Sequence, residues 1–369
     1  MAPSLRICAI ASPLRKAGFA APRIARLSTS RILSEDIKVF RDVPALRAYR
    51  RQLQQEKRSV GLVPTMGALH EGHLSLARNA AAENSEVFVS IYVNPAQFGV
   101  NEDLDKYPRT WDADMAKLEE FNNSLASSGT TGRVTAVFAP TTKTMYPTLP
   151  PTSEIDGQGS FVTITPLGSI LEGASRPVFF RGVATVCTKL FNIVQPERVY
   201  FGQKDVQQCA VIRRLVTDLH LDTRVRIIPT ERESDGLAMS SRNVNLGRRR
   251  RAAAACFPLS LRAAEKQYKE QGSLHRDDIL RPFREILDVS RIFYEQLEPM
   301  EKVVFDLDYV SLADPDTMEE VPQVDPAKGA ILSAALKMQP LEFVSGAEDC
   351  PGRGTIPVRL IDNLILPPR

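Results

Sequence analysis

The chain has 369 residues, 43% of them hydrophobic and 25% charged, with a formal net charge of +3. Such a length and composition suit a globular protein of two or three domains. No run of about 18 apolar residues is present that would cross a bilayer as a helix. The charge is uneven: residues 1–34 hold six cations and no acid, leaving −3 on the remainder, which argues against a nucleic-acid surface spread over the whole protein.

Those first 34 residues are also rich in serine, with five. An Arg- and Ser-rich, acid-free start is the composition of a mitochondrial transit peptide. The segment is set apart from the fold, and it predicts the mitochondrial matrix, with the cytoplasm as the alternative for a tail that carries no address. Further along, apolar runs predict strands at 60–63, 87–93, 134–138, 199–201 and 225–228. Helical periodicity predicts helices over 42–57, 73–83, 110–121, 182–194 and 205–219. Strands alternating with helices give a mostly parallel sheet covered on both faces, and ligands then bind beyond the carboxyl ends of its strands. Segments 122–133, 147–159 and 313–329 are polar or proline-rich and predict loops. Beyond about 236 the pattern changes to two long helices, 248–270 and 277–297, and β-like runs at 302–311, 330–338 and 354–361. The expected fold is α/β: a Rossmann-like parallel-sheet domain over 35–232 and a smaller α+β C-terminal lid domain over 233–369. Arg248 to Arg251 form a run of four arginines, expected on a solvated helix face. The five cysteines form no CxxC pair and are odd in number, so no disulfide framework is expected.

The chemistry should lie just after the strands. His70 and His73 follow the first long strand, in a turn containing Gly67 and Gly72 that leads into a helix expected to begin at His73. A helix N-terminus offers unpaired N–H groups and a positive dipole end, a ready phosphate site. Imidazoles there can stabilise charge on a phosphoryl group under attack. A zinc reading needs histidines at i and i+4 and a third ligand; the spacing here is i and i+3. At the end of a later strand Lys204 is a point charge suited to a polyphosphate. Asp205 can accept from ribose hydroxyls or cap the next helix, and Gln208 follows one turn on. Asn94 and Gln97, leaving another strand, suit a small polar substrate. Ser240, Ser241 and Arg242 have the makings of a mobile phosphate clamp.

Together these stretches resemble the pantoate–β-alanine ligase family, part of the nucleotidyltransferases that share a His-x-Gly-His signature. The likeness runs in order from about residue 36 to 364 through Pro64–His73, Val93–Phe98, Tyr107–Thr110, Leu171–Pro177, Phe180–Thr185, Gln195-Pro196, Gly202–Gln208, Asp235–Asn243 and Leu360–Asn363. The resemblance implies an enzyme that uses ATP with Mg2+ to form pantoyl adenylate and pyrophosphate, and then lets β-alanine displace AMP. It also implies a homodimer, with neither nucleic acid nor membrane as partner. By the family pattern Met66, Gly67, Ala68, Leu69, His70, Glu71, Gly72 and His73 lie along ATP. Gly202, Gln203, Lys204, Asp205, Glu231, Met239, Ser240, Ser241 and Arg242 complete its site. His73, His70, Lys204 and Arg242 are the catalytic set, and Gln97 and Gln208 bind pantoate. The metal ligands are not assigned; Asp112 and Asp114 lie in a suitable region. Competing readings are a nucleotidyltransferase with another acceptor, a noncatalytic nucleotide-binding protein, and a nucleic-acid binder acting through Arg248–Arg251.

Overall fold

The computed structural model describes residues 36–100, 104–152, 154, 157–344 and 350–369; the transit-peptide reading of 1–34 falls outside them. Residues 36–369 form one compact unit holding two sheets.

The first sheet is built from β1 (Lys38–Phe40), β2 (Val60–Thr65), β3 (Glu86–Ile91), β4 (Arg133–Phe138), β5 (Arg198–Gly202) and β6 (Arg224–Ile228), all parallel in the order β1-β4-β3-β2-β5-β6. Apolar runs such as Val60 to Val63 are buried on both sides, as central parallel strands must be. Leu62 faces a core layer with Leu46, Leu53, Phe180, Leu190 and Leu215. These belong to α1 (Val43–Gln55) and to the helices that flank β5. Its neighbour Val63 faces Leu76, Ala80, Leu118, Phe121 and Leu125 of α2 (Glu71–Glu83) and α3 (Trp111–Ser128). Alternation along one strand thus serves two helical layers. After β2 the chain adds β3 and β4 on one side, then returns to add β5 and β6 on the other. The crevice between β2 and β5 is the switch point where ligands bind in such sheets.

Short helices α4 (Thr142–Met145) and α5 (Glu172–Ser175) interrupt the long connection after β4, and α6 (Phe179–Val194) and α7 (Val206–Asp218) flank β5. The second sheet, antiparallel β7 (Phe305–Ala313), β8 (Ala330–Met338) and β9 (Val358–Leu366), packs on α8 (Gly247–Ala254), α9 (Cys256–Lys269) and α10 (Arg276–Glu295). Phe257, Leu261, Tyr268, Ile279 and Phe283 meet Phe305, Leu332 and Leu336 in its core.

Four expectations change. Residues 122–128 are not a loop but the end of α3, because Phe121 and Leu125 are buried while the small polar residues take the outer face. Asn122 fastens this end to the next strand, its amide bonding the peptide N–H and C=O of Val134 at 2.9 and 2.8 Å. The helix expected over 248–270 is two helices meeting at Ala255. The helix after β2 begins at Glu71, two residues before His73, so His70 is its N-cap. Finally, the run of four arginines is solvated only in part: Arg248 is exposed beside Glu301, but the other three turn into the fold. Arg249 and Arg250 are buried, the Arg250 guanidinium donating to the carbonyls of Leu246 and Ile356 at 3.0 and 2.6 Å. Arg249 donates to Phe343 O at 2.6 Å, and Arg251 pairs with Glu233 and Asp235. These three guanidiniums spend their donors on backbone carbonyls and acids within the fold.

Candidate active site

One cleft opens at the β2–β5 switch point. Its walls include Met66, Gly72 and both imidazoles from the β2–α2 turn, Gln97 from the end of β3, and Gly202, Lys204, Asp205 and Gln208 from the end of β5. Glu231, Met239, Ser240, Ser241 and Arg242 close another side. Five sequence-predicted residues do not line it. Gly67 lines a neighbouring cleft, and Leu69 is buried in the core. Ala68 gives its peptide N–H to Asp114, Glu71 pairs outward with Arg78 at 2.9 Å, and Gln203 bonds Asn363 at 3.2 Å.

The histidine turn is shaped from behind. Thr65 Oγ1 donates to Ser90 O at 2.7 Å and accepts the Gly67 N–H at 3.2 Å. Gly67 and Ala68 then both take positive φ, turning successive N–H groups the same way into an anion nest. Its anion is internal: the buried Asp114 carboxylate accepts Ala68 N–H at 2.9 Å and Leu69 N–H at 2.8 Å, with the Thr110 hydroxyl at 3.1 Å. Lys117 Nζ donates to Leu69 O at 2.5 Å. Both glycines also leave room that the turn needs. A Cβ on Gly67 would sit 3.1 Å from Asp114 Oδ2, and one on Gly72 would sit 2.9 Å from His70 Cε1. From the sequence Asp114 stands only in a region suited to a metal; its task as the carboxylate of this turn needs the fold.

At the helix start the His70 N–H donates to His73 Nδ1 at 3.4 Å, and the rings lie 4.1 Å apart. Because Nδ1 of His73 accepts, its proton sits on Nε2, which is left as a donor. Burial, then His70, Lys204 and Lys117, push the His73 imidazole down to about 3. Burial and the same lysines lower His70 as well. Both rings are therefore held neutral near pH 7, and a bound polyanion would raise both.

The substrate end is set by amide logic. Asn94 Nδ2 donates to the Gly182 carbonyl at 3.2 Å and to Gln97 Oε1 at 3.1 Å, while its Oδ1 accepts the Tyr146 hydroxyl at 2.8 Å. A carbonyl can only accept, so Asn94 is fixed in orientation, and Gln97 keeps its NH2 as a donor. Gln208 faces the same cleft, whereas Gln207 beside it is structural, bonding Glu172 N–H, Leu167 O and Ile170 O. Phe179, Val183, Val186 and Leu190 give this end an apolar lining, and Tyr92, Tyr107, Glu172 and Arg176 are wall residues that motif reading left without a role.

Opposite the histidines, Ser240 Oγ accepts the Arg242 N–H at 3.2 Å. Asn243 Nδ2 donates to Glu233 Oε1 at 2.6 Å, and Arg251 Nε meets Asp235 Oδ2 at 2.8 Å. Tyr107 lines the same cleft, and burial pushes its hydroxyl up. Lys204 Nζ lies 3.6 Å from Asp205 Oδ1, so Asp205 pairs with its neighbour and makes no side-chain cap to α7.

A family model described as pantoate-beta-alanine ligase matches residues 38–365. The chain belongs to the pantoate–β-alanine ligase family. It is 42% identical over 308 residues to the pantothenate synthetase of Roseiflexus castenholzii, covering 84% of this chain and 92% of that one. The Thermotoga neapolitana pantothenate synthetase is 42% identical over 289 residues, covering 78% and 92%. Among solved structures, the Thermus thermophilus pantothenate synthetase superposes with a TM-score of 0.69 at 36% identity, over 90% of this chain and all of that one. The Francisella tularensis pantoate-beta-alanine ligase, complexed with beta-gamma ATP and beta-alanine, gives 0.61 at 28% identity, over 89% and 97%. The parallel sheet with a small antiparallel sheet is the family's fold.

Proposed function

We propose that the cleft condenses pantoate with β-alanine by way of a pantoyl adenylate. Family membership gives the overall reaction: the chain is an ATP-dependent pantoate–β-alanine ligase. The observation that carries the route is the convergence of His70, His73, Lys204 and Arg242 with Gln97 and Gln208 in one cleft.

The obstacle is attack of one anion on another. A pantoate carboxylate oxygen forms a bond to the α-phosphorus, the bond to the bridging oxygen breaks, and pyrophosphate leaves. Lys204 and Arg242 supply fixed positive charge, and His73 Nε2–H and His70 supply donors where charge develops. The amine of β-alanine then bonds the acyl carbon as the acyl–oxygen bond breaks, and AMP leaves with that oxygen. Neutral Gln97 and Gln208 orient pantoate without a charge that would hold the adenylate too tightly. An apolar wall and the Ser240–Arg242 segment keep water from the mixed anhydride.

Among the described residues, no group of three or more His, Cys, Asp or Glu is arranged to hold a metal. Asp112 is exposed, and Asp114 spends both oxygens on peptide N–H groups. The residues suit Mg2+ that arrives on the phosphates of ATP and keeps its waters; it belongs to the substrate.

The test is AMP release by the full chain with pantoate, β-alanine, both or neither. AMP is expected only with both, and release that ignores pantoate contradicts the reading. The composition of residues 1–34 supports a mitochondrial address, which a reporter fused to them would test. The family likeness supports a homodimer, which sedimentation would test.

A further inference from the structure

Asn363 lies on β9 of the second sheet, opposite Ser333, and is 1% exposed. Its side chain leaves that sheet for the turn after β5. Nδ2 donates to Gln203 O and to Lys204 O, each at 2.9 Å, and Oδ1 accepts Gln203 Nε2 at 3.2 Å. The two carbonyls belong to the peptide units on either side of the Lys204 Cα. Holding both planes fixes the Cα–Cβ direction of Lys204, since a residue has only two soft backbone dihedrals. Next to it, Asp362 accepts both the Asn363 N–H at 2.7 Å and the Arg232 guanidinium at 2.7 and 3.0 Å. Asn363 is thereby seated from its own backbone. The Lys204 side chain is 16% exposed, and its charge reaches both His70 and His73.

We propose that Asn363 is the positioning residue of Lys204, so that the second sheet sets the aim of a phosphate-binding charge made by the first. The proposal rests on Lys204 meeting the phosphates of ATP. Displacing such a charge by about 1 Å can cost up to about 100-fold in rate.

The test is a double-mutant cycle in the full chain: wild type, Asn363→Ala, Lys204→Ala and the pair, with folding checked by thermal melts. Each protein gives kcat/KM for ATP and, by calorimetry, Kd for ATP. Asn363→Ala is expected to lower kcat/KM by about 10-fold or more in the wild type, and by less than about 2-fold when Lys204 is already gone. Equal losses in both backgrounds would overturn the proposal, because a merely structural asparagine weakens both alike. Should Asn363→Ala fail to fold, Asn363→Asp takes its place; it keeps size and acceptor but turns an oxygen toward both carbonyls. If Lys204→Ala alone leaves ATP affinity and rate unchanged, the reading of Lys204 fails instead, and the proposal with it.

Discussion

Two segments face each other across the cleft and are held by different means. The turn carrying His70 and His73 is fastened from inside: a buried carboxylate fills its nest, a lysine holds its carbonyl, and a helix starts at its end. The Met239–Arg242 segment has one buried tie at its flank, Asn243 to Ala238 O at 3.0 Å, and is otherwise braced from outside through Glu233, Asp235 and Arg251, whose side chains are 26%, 26% and 35% exposed. Buried charge-assisted bonds in low dielectric resist motion, whereas half-exposed ion pairs are worth little each and weaken with salt. The difference divides the labour. A site that develops charge needs one wall that does not reorganise, and a site that admits ATP needs another that can.

Removing a donor from the rigid wall should have the largest effect. His73→Ala is expected to fold and to lose about 100-fold or more in kcat, as deletion of a charge-stabilising donor does; near-normal turnover would remove His73 from the mechanism. Loosening that wall comes next. Asp114→Ala leaves two peptide N–H groups without their carboxylate, and urea denaturation should show a loss of about 3 kcal/mol, together with slower turnover. An unchanged midpoint would mean the nest is not what holds the turn. Arg251→Gln acts on the other wall. It should raise the KM for ATP by about 3- to 10-fold while leaving stability within about 1 kcal/mol, and a fall in kcat with KM unchanged would contradict the division. The smallest effect concerns pH. His73 is held at about 3 in the folded chain against an ordinary 6.5, so the unfolded chain takes up a proton first. Its contribution to stability is full above pH 6.5 and is lost as pH falls toward 3. Urea midpoints across that range should fall less steeply for His73→Gln than for the wild type, and parallel curves would show that the ring is not held neutral.

The same contrast explains what could be read from the sequence. Buried parallel strands are apolar runs, and their ends carry the chemistry, so β2 to β6 and the residues after them were visible as motifs. Three-residue β1 at the sheet edge was too short to show. What stayed hidden was support. Asp114 reaches the turn from a helix more than 40 residues away, and the sequence marks it only as an acid in a region suited to a metal. Gly67 and Gly72 also make room for Asp114 and the His70 ring, which their place in the turn does not reveal. Arg249 and Arg250 look like a solvated run because side-chain type, without tertiary context, says exposed; their partners are carbonyls contributed by distant segments. Residues 122–128 read as a loop because small polar side chains on an outer helix face resemble a surface turn.

The most direct test of the central claim follows the oxygen of pantoate. With 18O in its carboxylate, ATP and β-alanine, the account predicts one labelled oxygen in the AMP released and none in pyrophosphate. AMP free of label, or label in pyrophosphate, would contradict attack of that carboxylate at the α-phosphate.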